Sequence, residues 1–359
     1  MKLAETFLHS GSLFSTSLTT VTLGWGKRNW HAQPPDTGPS FYFPDFFLEQ
    51  KLPWCSHEFS KEISLDALEE ELLSMTLAST SKNTYSFPPI KWQLFSKAIF
   101  KKNYESLEEK LLAGILQKGV PYIFEVANEK MNRERLKRSL IALLQTLRQK
   151  PLYGYGFWEK NHGMLGGTPE LLFRSQSSRN HQIETMACAG TEKSGVDEAL
   201  HLRHPKEQYE HALVIQGVKD SIASLGGILQ IHETELLQLP LLTHLMTPLS
   251  AKFSEDISFD AIVKALHPTP ALGALPRIPG QHWLQEQKRN LPRYRYGAPV
   301  AIQEANKHTT CAVAIRNVQW EDNWMGLGAG CGVVLGSQFE NEWNELQLKI
   351  ASIKRTLNL

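Results

Sequence analysis

The chain has 359 residues, 42% of them apolar and 21% charged, which is the balance of a globular protein and excludes a disordered tail or a fibrous repeat. Lys and Arg number 38 against 37 Asp and Glu, a formal charge of +1, so no bulk basic field exists to hold a nucleic-acid backbone or an anionic membrane. Four cysteines, Cys55, Cys188, Cys311 and Cys331, stand far apart with no CxxC pair. That argues against a disulfide framework and a cysteine zinc site, and for a reducing, cytoplasmic setting. The opening MKLAETFLHSGSLFSTSLTT breaks its apolar stretches with Glu, His, Ser and Thr, and no run of about 18 apolar residues occurs anywhere. Neither a signal peptide nor a membrane span is expected.

In chain order, the Pro- and Gly-rich stretch 31–44 and the shorter 86–89 (SFPP) read as surface loops, too short for interdomain linkers. Ser64 ahead of LDALEEELLSM predicts a helix start. Ser106 and Glu109 match a capping box, Leu107, Leu111 and Ile115 recur every four residues, and Gly119-Val-Pro121 closes the run. A helix is expected between those signals. YIFEVA (122–127) reads as a strand, followed by a basic amphipathic helix near 133–149. Short strands are predicted at 153–158, 171–174 and 183–187, then a helix over 206–225 closed by Gly226-Gly227. AVAIR (312–316) is a further strand. The segment 325–332 puts glycine at every second position, so one face of the extended chain is bare backbone. Ser337 and Glu340 give another capping-box pattern, for a final helix through about Thr356. Short strands mixed with separated helices predict an α+β fold rather than a doubly wound parallel sheet.

Two acidic stripes carry the chemistry. In the final helix Glu342, Glu345 and Lys349 fall at i, i+3 and i+7 and share a face, while Trp343, Leu346 and Ile350 occupy another. In the helix over 206–225, Glu207, Glu210 and His211 lie on adjoining turns. Singly, each stripe is ordinarily a solvated helix face. Together, acidic pairs on separate helices can converge on a hard divalent cation, which prefers carboxylate oxygens. Neither HExxH nor HxxEH occurs, which argues against a zincin. A dinucleotide GxGxxG would need glycine at Cys331, so a Rossmann site is rejected. The glycine face is read either as close packing or as a bed for a flat, oxygen-rich ring. The turn GGTPE places Glu170 where a side chain can enter a pocket, and the Ala-Gly-Thr turn ending at Thr191 offers amides to a carboxylate.

In order, GGTPELLFR (166–174), ACAGT (187–191), KEQYEH (206–211), THLMTP (243–248), ALHPTPALGALPR (265–277), YGAPVA (296–301), AVAIR (312–316), GAGCGVVLGS (328–337) and ENEWNELQLK (340–349) resemble the chorismate-binding enzyme family. That family includes isochorismate, salicylate, anthranilate and aminodeoxychorismate synthases. The resemblance covers about two-thirds of the chain and implies layered antiparallel β-sheets flanked by helices. It implies a catalytic core over 106–359, with 1–105 as a peripheral segment packed on it.

The same resemblance implies that Glu210 and Glu345 bind Mg²⁺, supported through water by Glu207 and Glu342, with the cation holding the ring carboxylate of chorismate. Arg316 and Lys349, helped by the Gly190 and Thr191 amides, would receive the enolpyruvyl carboxylate, and His244, Thr247, Tyr296 and Gly330 would line the pocket. THLMTP and HPTPALGALPR are the form of isochorismate-type members, whereas amine-forming members end the central motif in GAPK. Water is therefore the expected nucleophile, with no amidotransferase subunit, and the product would feed menaquinone or siderophore synthesis. Glu170 matches the acid that protonates the departing C4 hydroxyl. At the family's base lysine, the straightforward alignment places Tyr122, a phenol titrating near 10 and a poor base for water. Lys118 and Lys110 precede it and reach the site only in another register. The alternatives are an aminodeoxychorismate or anthranilate synthase large subunit, and a chorismate-binding protein with impaired turnover.

Overall fold

A computed structural model describes residues 3–75, 89–93, 96–176, 181–195 and 204–359; residues 86–88 of the expected 86–89 loop lie outside this set. A short helix α1 (Leu3–Phe7) precedes strands β1 (Ser10–Ser15), β2 (Thr20–His31), β3 (Ser40–Tyr42) and β4 (Trp54–Ser64). Next come α2 (Leu65–Ser74), α3 (Lys97–Leu112), β5 (Lys118–Gly119), β6 (Tyr122–Ala127) and α4 (Arg133–Leu147). Strands β7 (Tyr153–Glu159), β8 (His162–Thr168), β9 (Leu171–Ser175) and β10 (Gln182–Lys193) lead to α5 (Pro205–Ser224). Then follow β11 (Ile228–Ile231), β12 (Glu235–Gln238), β13 (Leu242–Lys252), α6 (Phe259–Leu266), β14 (Ala274–Leu275) and α7 (Arg277–Asn290). The chain ends with β15 (Pro299–Gln303), β16 (Thr309–Val313), β17 (Asn317–Glu321), β18 (Trp324–Gly330), β19 (Val333–Val334) and α8 (Phe339–Leu357).

The strands pair antiparallel in the order β11-β13-β10-β9-β16-β15-β3-β4-β2-β1-β7-β8-β17-β18-β6, with β12 beside β13, and β14-β5-β19 form a small second sheet. Three apolar clusters form the core, and helices contribute to the first two of them. One gathers Leu68, Phe100, Leu107, Leu140 and Leu346 from α2, α3, α4 and α8; another gathers Val214, Val218, Ile222 and Ile262 from α5 and α6; the third is largely aromatic, around Phe14, Phe41, Phe43 and Phe157. The result is the expected α+β fold of layered antiparallel sheets flanked by helices. The first four strands stand between β15 and β7 in the strand order, so the strands within residues 10–64 enter the interior of the sheet instead of lying over it.

Capping chemistry sets several boundaries where the sequence places them. Ser64 accepts from the Ala67 amide and Asn132 from the Arg135 amide, opening α2 and α4. Elsewhere packing overrides the local signal. Helix α3 begins at Lys97, nine residues before Ser106, because its buried stripe of Phe100, Tyr104, Leu107 and Leu111 begins there. It ends at Gly114, whose φ of +68° is the left-handed conformation glycine adopts readily. Gly119 is not the stop but part of β5. The final helix starts at Phe339, whose ring packs on Phe100 and Tyr104, while the Ser337 hydroxyl accepts from Val334 instead of capping it. Strand β16 runs three residues earlier than AVAIR predicts: the chain leaves it after Val313, and Arg316 turns at φ +57°.

Because β1 is hydrogen-bonded to both β2 and β7, its loss should loosen the sheet as a whole. Leu13→Ala removes a fully buried side chain there and is expected to cost about 2–5 kcal/mol. Urea unfolding followed by tryptophan fluorescence and by far-UV dichroism should shift together; a separate early transition confined to one probe would contradict an integral N-terminal segment.

Candidate active site

Helices α5 and α8 bring carboxylates from distant parts of the chain to one place. The Lys206 ammonium marks where they meet: it stands 3.2 Å from Glu207 Oε1, 3.1 Å from Glu210 Oε2 and 3.1 Å from Glu342 Oε1. Glu345, one turn beyond Glu342, pairs with Lys349 and adds its field at Lys206. Burial pushes Glu207 and Glu342 up to about 7 against the pull of Lys206. Burial acts on Glu210 as well, but Lys118 and Lys206 outweigh it and hold that carboxyl below the usual range.

Beside this cluster a small cavity of about 50 Å³ is lined by residues that include Glu170, Cys188, Thr191, Glu210, His244, Tyr296, Arg316, Gly330 and Lys349. Arg316 Nη2 donates to His244 Nε2 at 3.2 Å, which leaves Nδ1 to carry the proton and donate to Thr191 Oγ1 at 3.0 Å. Arg316 Nε is buried with no partner among the described residues, an unspent donor of the kind an anion satisfies. Lys349 donates to the Gly330 carbonyl at 2.7 Å. On the glycine strand, a Cβ at Gly328 would stand 2.7 Å from the Tyr296 ring, and one at Gly332 would press on Glu210 and on Lys118 Nζ. The bare face is therefore covered by Tyr296 at one end and by the Lys118–Glu210 pair at the other. A larger groove of about 750 Å³ lies between Lys150, Arg174, Met186 and Met246, with Glu235 the one acid lining it among the described residues.

Glu170 is buried at the cavity, where the Thr269 hydroxyl donates to it at 3.2 Å. Burial pushes it up to about 7, against the lowering effect of that bond and of Lys118, Lys349 and Arg316.

Tyr122 does not reach the cavity. Its hydroxyl donates to the Leu291 carbonyl at 2.5 Å, its ring packs against the Arg293 guanidinium, and burial pushes its phenol up to about 12. Lys118 instead meets the acidic cluster: it is fully buried, 3.3 Å from Glu210 Oε1, and donates to the Pro270 carbonyl at 2.9 Å. The helix-ending glycine is Gly114, not Gly119, and Lys118 opens the first strand after it. That signal was present in the sequence and was outweighed by the Gly-Val-Pro punctuation.

Two further expectations are corrected. The Thr191 amide already donates to Glu207 Oε2 at 2.8 Å, because a buried carboxylate needs donors. Gly190 sits in the bulge between Ala189 and Thr191 at φ +77° and does not line the cavity. Thr247 lies three residues after His244 on β13, so the pleat turns it to the other face. There it meets His211 at 2.7 Å and Thr234 at 2.8 Å. Lys206 and Thr269 were not anticipated, since a lysine among acids on a helix reads as a surface ion pair.

A family model described as "Chorismate binding enzyme" matches residues 54–358. The chain belongs to the chorismate-binding enzyme family. Its relatives include the salicylate biosynthesis isochorismate synthase of Pseudomonas aeruginosa, 30% identical over 207 residues that make up 55% of this chain and 42% of the relative. The isochorismate synthase EntC of Escherichia coli is 28% identical over 204 residues, 55% of this chain and 51% of the relative. The chain thus spans about half the length of the curated relatives it matches. In fold it resembles a Bacillus anthracis protein described as the 2,3-dihydroxybenzoate-specific isochorismate synthase DhbC, with TM-score 0.78 over 99% of this chain and 100% of the other at 19% identity.

The raised Glu170 has a consequence for stability. The folded protein keeps a proton that the unfolded chain releases near 4.5, so stability falls as pH rises from 4.5 through about 7. Glu170→Gln removes that slope. Compared with wild type, the variant should gain in relative stability between pH 5 and pH 8 in metal-free urea titrations, and a constant difference would show that Glu170 is not a perturbed buried carboxyl.

Proposed function

We propose that the protein is an isochorismate synthase, an isomerase that interconverts chorismate and isochorismate with the help of Mg²⁺. The observation that carries the reading is a buried lysine, Lys118, in contact with the cavity-lining Glu210, together with a buried carboxyl in the same cavity wall, Glu170, that keeps its proton to about pH 7. Water addition needs a base and an acid of that kind.

In this reading Lys118 acts in its neutral amine form and accepts a proton from water as the oxygen bonds to C2 of the ring. Both ring double bonds shift by one position and the C4–O bond breaks. Glu170 gives its proton to the departing hydroxyl, which leaves as water. Arg316, with its unspent Nε, and Lys349 hold the enolpyruvyl carboxylate. Tyr296 and Gly330 flank the ring. Glu207, Glu210, Glu342 and Glu345 form an all-oxygen donor set suited to a hard cation, and Glu342 Oε2 is buried without a hydrogen-bond partner among the described residues. When bound there, Mg²⁺ would supply the positive charge that holds the ring carboxylate. The reading of impaired turnover rested on Tyr122, and the position of Lys118 removes its motive. An ammonia-using synthase is disfavoured by the central motif HPTPALGALPR.

Incubation with chorismate and Mg²⁺, with and without ammonium, followed by chromatography, tests the proposal. Isochorismate in both mixtures is the expected product; anthranilate or aminodeoxychorismate, or no product at all, would overturn it. Lys118→Ala should lower kcat by about 100-fold or more while chorismate still binds. A variant with full turnover would exclude Lys118 as the base. With Glu170 as the acid, kcat should fall about tenfold per pH unit above about 7. A profile flat to pH 9 would assign the proton to another group.

A further inference from the structure

The Lys206 ammonium lies among the carboxylates that a cation would need. Its nitrogen touches one oxygen each of Glu207, Glu210 and Glu342, from both helices, at 3.1–3.2 Å. Those are ammonium distances; Mg²⁺ draws oxygens in to about 2.0–2.1 Å. Among the described residues no three acids stand close enough to hold a metal as they are. An ammonium and a divalent ion cannot share the space. Charge leads to the same conclusion. With all four acids ionised and Lys118 and Lys349 protonated, two negative charges remain; Lys206 cancels one of them, and a divalent cation would cancel both. The Lys206 side chain is 19% exposed, so it has a route to solvent, whereas Glu342 at 3% does not. The adjoining cavity of about 50 Å³ is far below the several hundred Å³ of ordinary small-molecule sites.

We propose that Lys206 is a built-in counter-ion that occupies the carboxylate cage in the metal-free protein and must swing out for a divalent cation to enter, so that this one side chain sets the cage's metal affinity. The inference rests on the metal reading above but concerns a residue that reading does not use. Lys206 holds the two helices together when metal is absent and competes with it when metal is present. Its removal should therefore have opposite effects on the two states: a less stable metal-free protein and a tighter metal complex.

The test is calorimetric titration of the full chain with Mg²⁺ alone, without chorismate, alongside melting curves with and without the ion. Lys206→Gln should bind Mg²⁺ at least tenfold more tightly than wild type, melt lower without metal, and gain more from its addition. Lys206→Arg keeps the charge and should bind Mg²⁺ no more tightly than wild type; it also serves if the Gln variant does not fold. Unchanged or weaker binding by Lys206→Gln, or tenfold tighter binding by Lys206→Arg, overturns the competition while leaving the proposed function intact. Absence of Mg²⁺ binding in wild type and both variants overturns the metal reading and this inference together.

Discussion

Buried like charges must be offset, and the architecture around this site follows from that constraint. Helices α5 and α8 come from distant parts of the chain, yet the sheet seats them where Glu207, Glu210, Glu342 and Glu345 face a common space with little water. Left alone, such carboxylates would repel or take up protons. Ammonium groups offset part of this: Lys206 touches three, Lys118 a second oxygen of Glu210, and Lys349 takes Glu345, while burial still holds Glu207 and Glu342 up at about 7. The cations reach the cluster from three elements, β5, α5 and α8, so the acidic centre also ties the small sheet to the helices.

Backbone shape matters as much as charge. Only a strand without side chains on one face lets Tyr296 lie against Gly328 and lets Glu210 and Lys118 close over Gly332. A methyl group at Gly332 would overlap both. Arg316 reaches the cavity after the chain leaves β16 and turns through a left-handed conformation, uncommon for a residue with a Cβ and held here by its contact with His244. The cavity is thus made by backbone features at both edges, with the charged groups fitted between them.

Much of this was legible in the sequence. Period and caps gave α2, α4, β6 and the two acidic helices, and the i, i+3 spacing correctly turned each acidic pair to one side. The errors arose where local chemistry and tertiary packing disagreed. Ser106 looks like a cap because Glu109 follows it, but an aromatic stripe beginning at Phe100 extends the helix past it. Ser337 looks like a cap for α8, but its hydroxyl is taken by Val334 and the start is fixed by Phe339 on α3. Misreading one glycine drew attention to Tyr122, whose hydroxyl bonds the Leu291 carbonyl, and away from Lys118, which touches Glu210. The depth of the N-terminal strands was illegible for a different reason: which strands neighbour β1 is set by long-range pairing with β7, and nothing local to either strand encodes it.

Burial alone does not decide what a carboxyl does here. Glu170 and Glu210 line the same cavity and are similarly buried. Glu210 has two ammonium groups in contact, and the charged form prevails over desolvation. Glu170 has one hydroxyl, from Thr269, and feels its cations only at a distance, so desolvation prevails and the neutral form persists to about pH 7. Two acids in one cavity are thereby separated, one held towards its charged form and the other towards its neutral form, by the placement of Lys118 and Lys206. Were either lysine moved across the cavity to touch Glu170, that neutral carboxyl would be lost without any change in the acids themselves. The division of labour between the acids is therefore encoded in the lysines.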